Sequence, residues 1–87
     1  MKNYIEIYTG PFCNFCVLAK KLLNKKNIQY YEIDISKNPE KRSEMLFRTD
    51  GKSTIPQIFI NNEFIGGFTE LNALEISGKL DKLLNTW

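Results

Sequence analysis

The chain has 87 residues, of which 43% are hydrophobic and 13% aromatic, so it can build one small core and has no room for a second. We therefore expect residues 1–87 to form a single domain. Twelve basic and ten acidic residues give a formal net charge of +2. Because the two signs are nearly balanced, a nucleic-acid-binding surface is not expected. No apolar run approaches membrane-spanning length and no signal peptide precedes the first predicted strand, so we expect a cytoplasmic protein without a membrane partner.

The first third of the chain predicts a strand, a helix and a second strand. Residues 3–8 alternate and are rich in β-formers, which predicts strand one, and residues 28–35 predict strand two in the same way. Between them, residues 14–26 predict helix one. Its apolar side should consist of Phe15, Leu18, Ala19, Leu22 and Leu23. A strand, a helix and a strand within this length form a βαβ unit, so the two strands should be parallel.

A second helix is predicted in the middle of the chain. Asn38 followed by Pro39 is typical of a helix start, with asparagine as the N-cap and proline at the first helical position. The helix should run to about residue 48. The apolar side chains that we expect it to bury are Met45, Leu46 and Phe47.

The last third of the chain predicts a hairpin and a final helix. Residues 57–60 and 63–65 form two short strands, and the two asparagines between them tolerate left-handed backbone angles. Thr69 can cap the final helix, which Gly78 interrupts. The side chains expected to point inward are Leu71, Leu74 and Ile76. The order β-α-β-α-β-β-α therefore predicts an α/β fold with a four-stranded mixed sheet flanked by helices.

Cys13 and Cys16, the only cysteines in the sequence, stand where strand one turns into helix one. Cys13 should lie at the helix N-terminus, where free backbone N–H groups and the helix dipole favour negative charge. A thiol in such a position can titrate well below its usual pKa of about 8.5, and only the thiolate is nucleophilic. Cys16 should lie on the same side of the first turn. The pair therefore predicts an attacking thiol, Cys13, and a resolving thiol, Cys16.

Other roles for the two cysteines fit the sequence less well. A disulfide that closes so short a loop removes little chain entropy, which argues against a structural bridge. A zinc site normally needs four ligands, whereas the sequence has no histidine and no second cysteine pair. The alternative that both cysteines only fill the core stays open, but it does not explain why they stand three residues apart at a strand-to-helix turn. In a reducing cytosol a dithiol is more often catalytic than structural.

Two further motifs accompany the dithiol. Thr54-Ile55-Pro56 precedes the third predicted strand, and Gly66-Gly67 follows the fourth. With these three motifs the whole chain resembles a dithiol glutaredoxin of the bacterial type, a member of the thioredoxin-like superfamily. The resemblance implies the thioredoxin-like fold, in which the proline matching Pro56 is cis and faces the dithiol. From the sequence alone, an ordinary trans proline in a turn fits this position equally well.

The resemblance also implies a glutathione site. Phe68 and Thr69 would present N–H groups at a helix N-terminus to the γ-glutamyl carboxylate. Glu70 would meet the glutamyl amino group, and Lys52 the glycine carboxylate. Plain helix capping and an exposed loop lysine are the alternative interpretations of these residues. The full set of implied contacts is Phe15, Lys52, Thr54, Ile55, Pro56, Gly67, Phe68, Thr69 and Glu70.

Three positions depart from the common glutaredoxin pattern. Asn14 and Phe15 stand where proline and tyrosine are usual, and Gly10 stands where many relatives have a lysine. Glutaredoxins without that proline sometimes hold a [2Fe–2S] cluster between two subunits, ligated by the first cysteine and glutathione. Asn14 therefore keeps open an alternative in which Cys13 binds such a cluster. Otherwise no metal is expected.

The expected function is glutathione-dependent thiol–disulfide exchange. The resemblance implies an enzyme that reduces protein disulfides and glutathione mixed disulfides, with glutathione as its reductant. Its partners would be glutathione and disulfide-bearing or glutathionylated proteins, and we expect it to act as a monomer. A further alternative is a redoxin reduced by a flavoprotein reductase. Redoxins of that sort tend to carry a Trp-Ser-Gly-Phe-like segment where this chain has residues 66–69.

Overall fold

The computed structural model describes residues 3–84, so the predicted domain limits at residues 1 and 87 lie outside the described part. The helices and strands are β1 (Ile5–Thr9), α1 (Asn14–Lys25), β2 (Tyr31–Asp34), α2 (Pro39–Arg48), β3 (Gln57–Ile60), β4 (Glu63–Gly66), α3 (Phe68–Ile76) and α4 (Lys79–Leu84). The predicted order is confirmed, and the final helix is divided at Gly78, whose φ is +80°. Strand two is shorter than predicted, since it begins at Tyr31. None of the helices in residues 3–84 is long and apolar enough to cross a bilayer.

The four strands form one mixed sheet in the order β2-β1-β3-β4. β1 pairs in parallel with β2, as predicted for a βαβ unit, and in antiparallel fashion with β3. β3 and β4 form the predicted antiparallel hairpin. Because β1 and β3 run in opposite directions, the end of β1 lies beside the start of β3, where Tyr8 pairs with Gln57. This pairing brings the loop after β1 next to the segment before β3.

The core lies on both faces of the sheet because successive strand residues point to opposite sides. On one face, buried isoleucines of β1 and β3 pack against α1, α3 and α4; this cluster is Ile5, Ile7, Ile58, Ile60, Ala19, Leu23, Leu71 and Leu80. On the other face, Tyr8 and Phe59 pack against Met45 of α2. Two helical layers therefore enclose the sheet.

A polar network attaches α2 to the sheet. The Arg48 guanidinium donates hydrogen bonds to the Glu6 carboxylate at 2.9 and 3.1 Å and to the Tyr8 hydroxyl at 2.8 Å. Its central carbon lies 3.8 Å from the centroid of the Phe59 ring. The Tyr8 hydroxyl donates in turn to Glu44 at 2.5 Å. Burial, followed by the hydrogen bond to Glu44, raises the pKa of Tyr8 to about 12, so this hydroxyl stays protonated.

Local turn and cap signals are confirmed. The side chain of Asn38 accepts a hydrogen bond from the backbone N–H of Glu40 at 3.1 Å and so caps α2. Asn61 and Asn62 adopt φ angles of +52° and +68° between β3 and β4. Asparagine is among the residues that tolerate this left-handed region.

Several side chains predicted to face the core are exposed instead. Phe47 is 89% exposed and Ile76 is 79% exposed, because each lies roughly 140–200° around its helix from the buried residue, Met45 or Leu71. Phe15 and Leu18 are also exposed, since α1 buries only the narrow stripe Cys16, Ala19 and Leu23. The predicted apolar faces were therefore too wide.

Candidate functional site

The two cysteines lie at the start of α1 and are joined by a disulfide bond, with their Cα atoms 5.2 Å apart. Cys13 is the N-cap, and its Sγ accepts a hydrogen bond from the Cys16 backbone N–H at 3.1 Å. Cys13 is half-buried, whereas Cys16 is only 2% exposed. The first turn of α1 has no acidic residue, so the N–H groups and helix dipole favour negative charge on the Cys13 sulfur. Cys13 is thus the more accessible of the two residues and the one at the helix N-terminus.

The segment before β3 lies against the dithiol. The Ile55–Pro56 peptide bond is cis, as the resemblance implied, and the carbonyl oxygen of Ile55 lies 3.7 Å from the Cys13 Sγ. A Cβ at Gly10 would lie 2.8 Å from the Cδ1 of Ile55, so a larger residue there would require the end of the Ile55 side chain to turn away. The antiparallel pairing of β1 with β3 thus joins residues that are 42 positions apart in the chain.

An open groove of about 510 Å³ extends beside this segment. All nine residues predicted to contact glutathione line it: Phe15, Lys52, Thr54, Ile55, Pro56, Gly67, Phe68, Thr69 and Glu70. The groove is also lined by four residues that the sequence analysis did not assign to the site: Gln57, Phe64, Ile65 and Gly66. Gln57 follows Pro56 directly and Gly66 is part of the Gly66-Gly67 motif, so both could have been assigned to the site from the motifs. Phe64 and Ile65 showed only the pattern of an ordinary strand.

Gly66 and Gly67 bring the start of α3 close to Pro56. Gly66 has a φ of +123°, and a Cβ there would lie 2.8 Å from the Glu70 side chain. A Cβ at Gly67 would lie 3.2 Å from the Pro56 carbonyl oxygen. A larger residue at Gly67 would therefore push the start of α3 away from Pro56, whereas the constraint at Gly66 comes from its φ and from Glu70 on the same side of the groove.

The predicted Thr69 cap is wrong. α3 begins at Phe68 with Gly67 as its N-cap, because the Glu70 carboxylate already accepts a hydrogen bond from the Gly67 N–H at 2.7 Å. Thr69 lies inside the first turn, where backbone N–H groups have no partner within the helix. These N–H groups give this end of the groove the partial positive charge of a helix N-terminus.

Two further contacts shape the groove walls. The rings of Phe15 and Phe68 stack with centroids 6.2 Å apart and so link the starts of α1 and α3. The Gln57 Nε2 donates to the backbone oxygen of Thr54 at 2.9 Å and to its Oγ1 at 3.1 Å. These hydrogen bonds hold the segment that leads into the cis bond. Lys52 contributes an exposed positive charge nearby.

Comparison with known proteins gives a consistent result. A glutaredoxin family model matches residues 5–65. Glutaredoxin 3 of Escherichia coli is 46% identical over 80 residues, which cover 92% of this chain and 95% of that protein. The solution structure of a Brucella melitensis glutaredoxin is 49% identical with a TM-score of 0.80, over 94% of this chain and 88% of that one. A buckwheat glutaredoxin solved as a glutathione complex is 25% identical with a TM-score of 0.84, over 94% and 76%.

These matches confirm the predicted resemblance to bacterial glutaredoxins and the thioredoxin-like architecture. They span most of the chain, including both cysteines and the segment around Pro56. The chain therefore belongs to the glutaredoxin family, and it carries the Cys13–Cys16 pair at the start of α1 of a thioredoxin-like fold.

Proposed function

We propose that this protein is a glutathione-dependent oxidoreductase that reduces protein disulfides and glutathione mixed disulfides. The observation that carries the proposal is the position of half-buried Cys13 beside a groove lined by every residue expected to contact glutathione. The glutathione complex of the buckwheat relative supports glutathione as the reductant.

The charges of the groove suit glutathione, which carries two carboxylates and one ammonium group. The N–H groups of Phe68 and Thr69 at the start of α3 would receive the γ-glutamyl carboxylate. Lys52 would pair with the glycine carboxylate. Glu70, whose Oε1 holds the Gly67 N–H, would offer Oε2 to the ammonium group. The backbone of Ile55 would pair with the cysteinyl residue as a strand does, which directs the glutathione sulfur toward Cys13.

The reaction begins when the Cys13 thiolate attacks one sulfur of a substrate disulfide and expels the other half as a thiolate. When the retained half is glutathione, a second glutathione attacks the glutathione sulfur, which releases oxidised glutathione and restores Cys13. When the retained half is a protein, Cys16 attacks the Cys13 sulfur and releases the reduced protein. The resulting Cys13–Cys16 disulfide, the form present here, is reduced by two glutathiones.

The test is glutathione-dependent reduction of a small glutathione mixed disulfide by the native chain, Cys13→Ser and Cys16→Ser. We expect Cys13→Ser to fall to the uncatalysed rate, because it removes the nucleophile. Cys16→Ser should retain turnover of this substrate but lose most reduction of an intramolecular protein disulfide, because it cannot resolve the protein mixed disulfide. Full activity of Cys13→Ser would overturn the assignment of roles.

Other outcomes would favour the alternatives raised by the sequence. Reduction of the oxidised protein by a flavoprotein reductase, together with none by glutathione, would identify a redoxin of that class. A visible iron–sulfur absorption after anaerobic reconstitution with glutathione would support a shared cluster. Within residues 3–84 no group of three metal-binding side chains occurs, so such a cluster would take Cys13 from each chain and glutathione as the remaining ligand.

We further propose that the protein works as a monomer in the cytoplasm, where the reducing environment keeps glutathione available. Size-exclusion chromatography with light scattering, run on the reduced protein with and without glutathione, tests the monomer. A dimer that forms only with glutathione and iron would instead favour the shared-cluster alternative.

A further inference from the structure

Exposed apolar side chains are concentrated in the segment of the chain that carries the dithiol. Among the described residues, half of the large apolar side chains that are exposed fall within residues 12–18, and we call these the apolar collar: Phe12, Phe15, Val17 and Leu18. The others lie elsewhere: Tyr4 and Tyr31, whose ring centroids are 5.0 Å apart, and the separate residues Phe47 and Ile76. Single exposed apolar residues are ordinary, whereas a cluster beside a reactive group marks an interaction surface.

Phe12 is the most exposed member of the apolar collar. Its relative exposure is 104%, so the ring lies wholly in solvent, and it directly precedes Cys13. Its φ is +56°, in the left-handed region that disfavours bulky side chains and suits glycine or asparagine. A phenylalanine here therefore helps neither the packing nor the turn. Unfavourable backbone conformations of this kind cluster at sites where they serve function.

Phe12 is also outside the groove assigned to glutathione, since it is not among the residues that line it. Its ring stays available when the groove is filled. Consecutive Cα atoms lie about 3.8 Å apart, so a macromolecule whose sulfur reaches Cys13 must bring the neighbours of its own cysteine close to residue 12. The first turn of α1 carries no charged side chain, so apolar neighbours are the ones this surface accommodates.

We propose that Phe12, with the rest of the apolar collar, binds apolar side chains that flank the reacting cysteine of protein substrates. Phe12 thereby sets a preference of Cys13 for disulfides in apolar sequence surroundings. The inference rests on the disulfide-exchange half of the proposed function and deepens it by naming the substrate class. It does not depend on how the oxidised protein is reduced again.

The step to be tested uses reduced protein and a disulfide-linked peptide dimer. The Cys13 thiolate forms a bond to one peptide sulfur, the peptide disulfide breaks, and the second peptide leaves as a thiolate. Cys16 then displaces the first peptide. The products are two peptide thiols and the Cys13–Cys16 disulfide, so the peptide gains the two electrons that the protein loses.

The experiment compares two peptide dimers of equal length and charge, with the cysteine flanked by leucines in one and by serines in the other. The rate of thiol release is measured in a single turnover with prereduced protein and no glutathione. We expect the native chain to prefer the leucine peptide by about tenfold, the gain expected from partly burying a leucine side chain against the Phe12 ring. Phe12→Asn should reduce this ratio to about one or two, and Phe12→Tyr should keep most of it.

The ratio of the two peptide rates separates recognition of the peptide from changes in the reactivity of Cys13. Both peptides meet the same thiolate, so any change in the reactivity of Cys13 cancels. Asparagine suits a left-handed φ, so Phe12→Asn should not lower Tm. The matched control is Phe47→Asn, which removes a ring that is 89% exposed from α2 and should leave the ratio unchanged.

A native ratio near one, a Phe12→Asn ratio equal to the native ratio, or an equal loss in Phe47→Asn would each overturn the proposal. Because no glutathione is present, failure of the glutathione-dependent assay leaves this ratio measurable. The two proposals can therefore fail separately.

Discussion

Cys13 differs from Cys16 chiefly in what surrounds each sulfur. Cys13 caps α1, accepts the Cys16 N–H and lies beside the Ile55 carbonyl, whereas Cys16 is buried against the core. The cap position was predictable from the sequence, since a turn signal and the start of an amphipathic helix fix it locally. The approach of the Ile55 carbonyl to Cys13 could not be derived from the local sequence pattern. It was expected only from the family resemblance.

The positive charge of Lys52 gives the first prediction at the scale of single residues. We expect Lys52→Gln to raise the KM for glutathione about fivefold with a smaller effect on kcat, because one charge-assisted contact at an exposed site contributes roughly 1 kcal/mol. The effect should shrink at high salt. Lys37→Gln, which removes an exposed lysine outside the groove, is the matched control. Equal KM changes in both variants would show that Lys52 makes no specific contact.

Gly67 gives a second prediction at this scale. Alanine would place a Cβ 3.2 Å from the Pro56 carbonyl oxygen, so the two walls of the groove must move apart. We expect Gly67→Ala to raise the KM for glutathione roughly fivefold, which corresponds to about 1 kcal/mol. Overpacking against Pro56 should also lower Tm by a few degrees, although the φ of −94° at this position adds no backbone strain.

Gly78→Ala provides the contrast to Gly67→Ala. Gly78 has a φ of +80°, and a Cβ at this position would meet no atom within 4 Å, so alanine there should lower Tm through backbone strain and leave the KM unchanged. Steady-state kinetics and thermal unfolding of both variants check the pair. A Gly67→Ala variant with lower Tm and an unaltered KM would contradict the account of the groove.

At the scale of helices and strands, local sequence signals predicted where a helix or turn begins and ends better than they predicted which face of a helix is buried. Asn38 caps α2 and the two asparagines turn the hairpin, because caps and turns depend on residues only a few positions apart. Phe47 and Ile76 were placed in the core but point to solvent. Which side of a helix is buried depends on the partner against which it packs, and a run of apolar residues leaves that open.

The attachment of α2 to the sheet provides a prediction at this scale. Arg48→Met should lower the free energy of unfolding by about 3 kcal/mol, because it leaves the Glu6 carboxylate without its partner at a mostly buried position. Urea unfolding measures the change. Arg42→Met on the exposed side of the same helix is the matched control and should stay within about 0.5 kcal/mol of the native chain.

The double variant Glu6→Gln with Arg48→Met extends this prediction. Replacing both partners removes the unpaired charge, so part of the stability lost in Arg48→Met should return. A loss in Arg48→Met no larger than in Arg42→Met would show that the ion pair is not what holds α2.

For the molecule as a whole, the network at α2 predicts how stability depends on pH. The hydrogen bond from Tyr8, followed by that from Lys41, lowers the pKa of Glu44 below its usual 4.5. Because the pKa of Glu44 is lower in the folded state than in the unfolded state, the Glu44 carboxylate stabilises the fold at pH values above its unfolded-state pKa. This stabilisation is lost as the pH falls through the folded-state pKa. Acid should therefore destabilise the native chain partly through Glu44.

Glu44→Gln tests this linkage. Glutamine cannot take up a proton at this position, so the unfolding free energy of the variant should fall less than that of the native chain between about pH 6 and about pH 3. Tyr8→Phe removes the main cause of the shift and should flatten the same part of the profile. Urea unfolding at a series of pH values measures both. A Glu44→Gln profile parallel to the native one would show that Glu44 contributes nothing to the acid response.

The sequence by itself determined the order of helices and strands, the βαβ unit and the place of Cys13 at a helix N-terminus, because period, cap and turn signals act within a few residues. The family resemblance added the residues expected around glutathione. Only the tertiary structure decided that these residues line one groove beside the dithiol, that Cys16 is buried and that Phe12 is fully exposed to solvent. The groove arises from the pairing of β1 with β3 and the approach of α3 to the cis-proline segment, which join residues far apart in the chain. Burial and exposure likewise depend on the packed surroundings of a residue, which local sequence patterns do not specify.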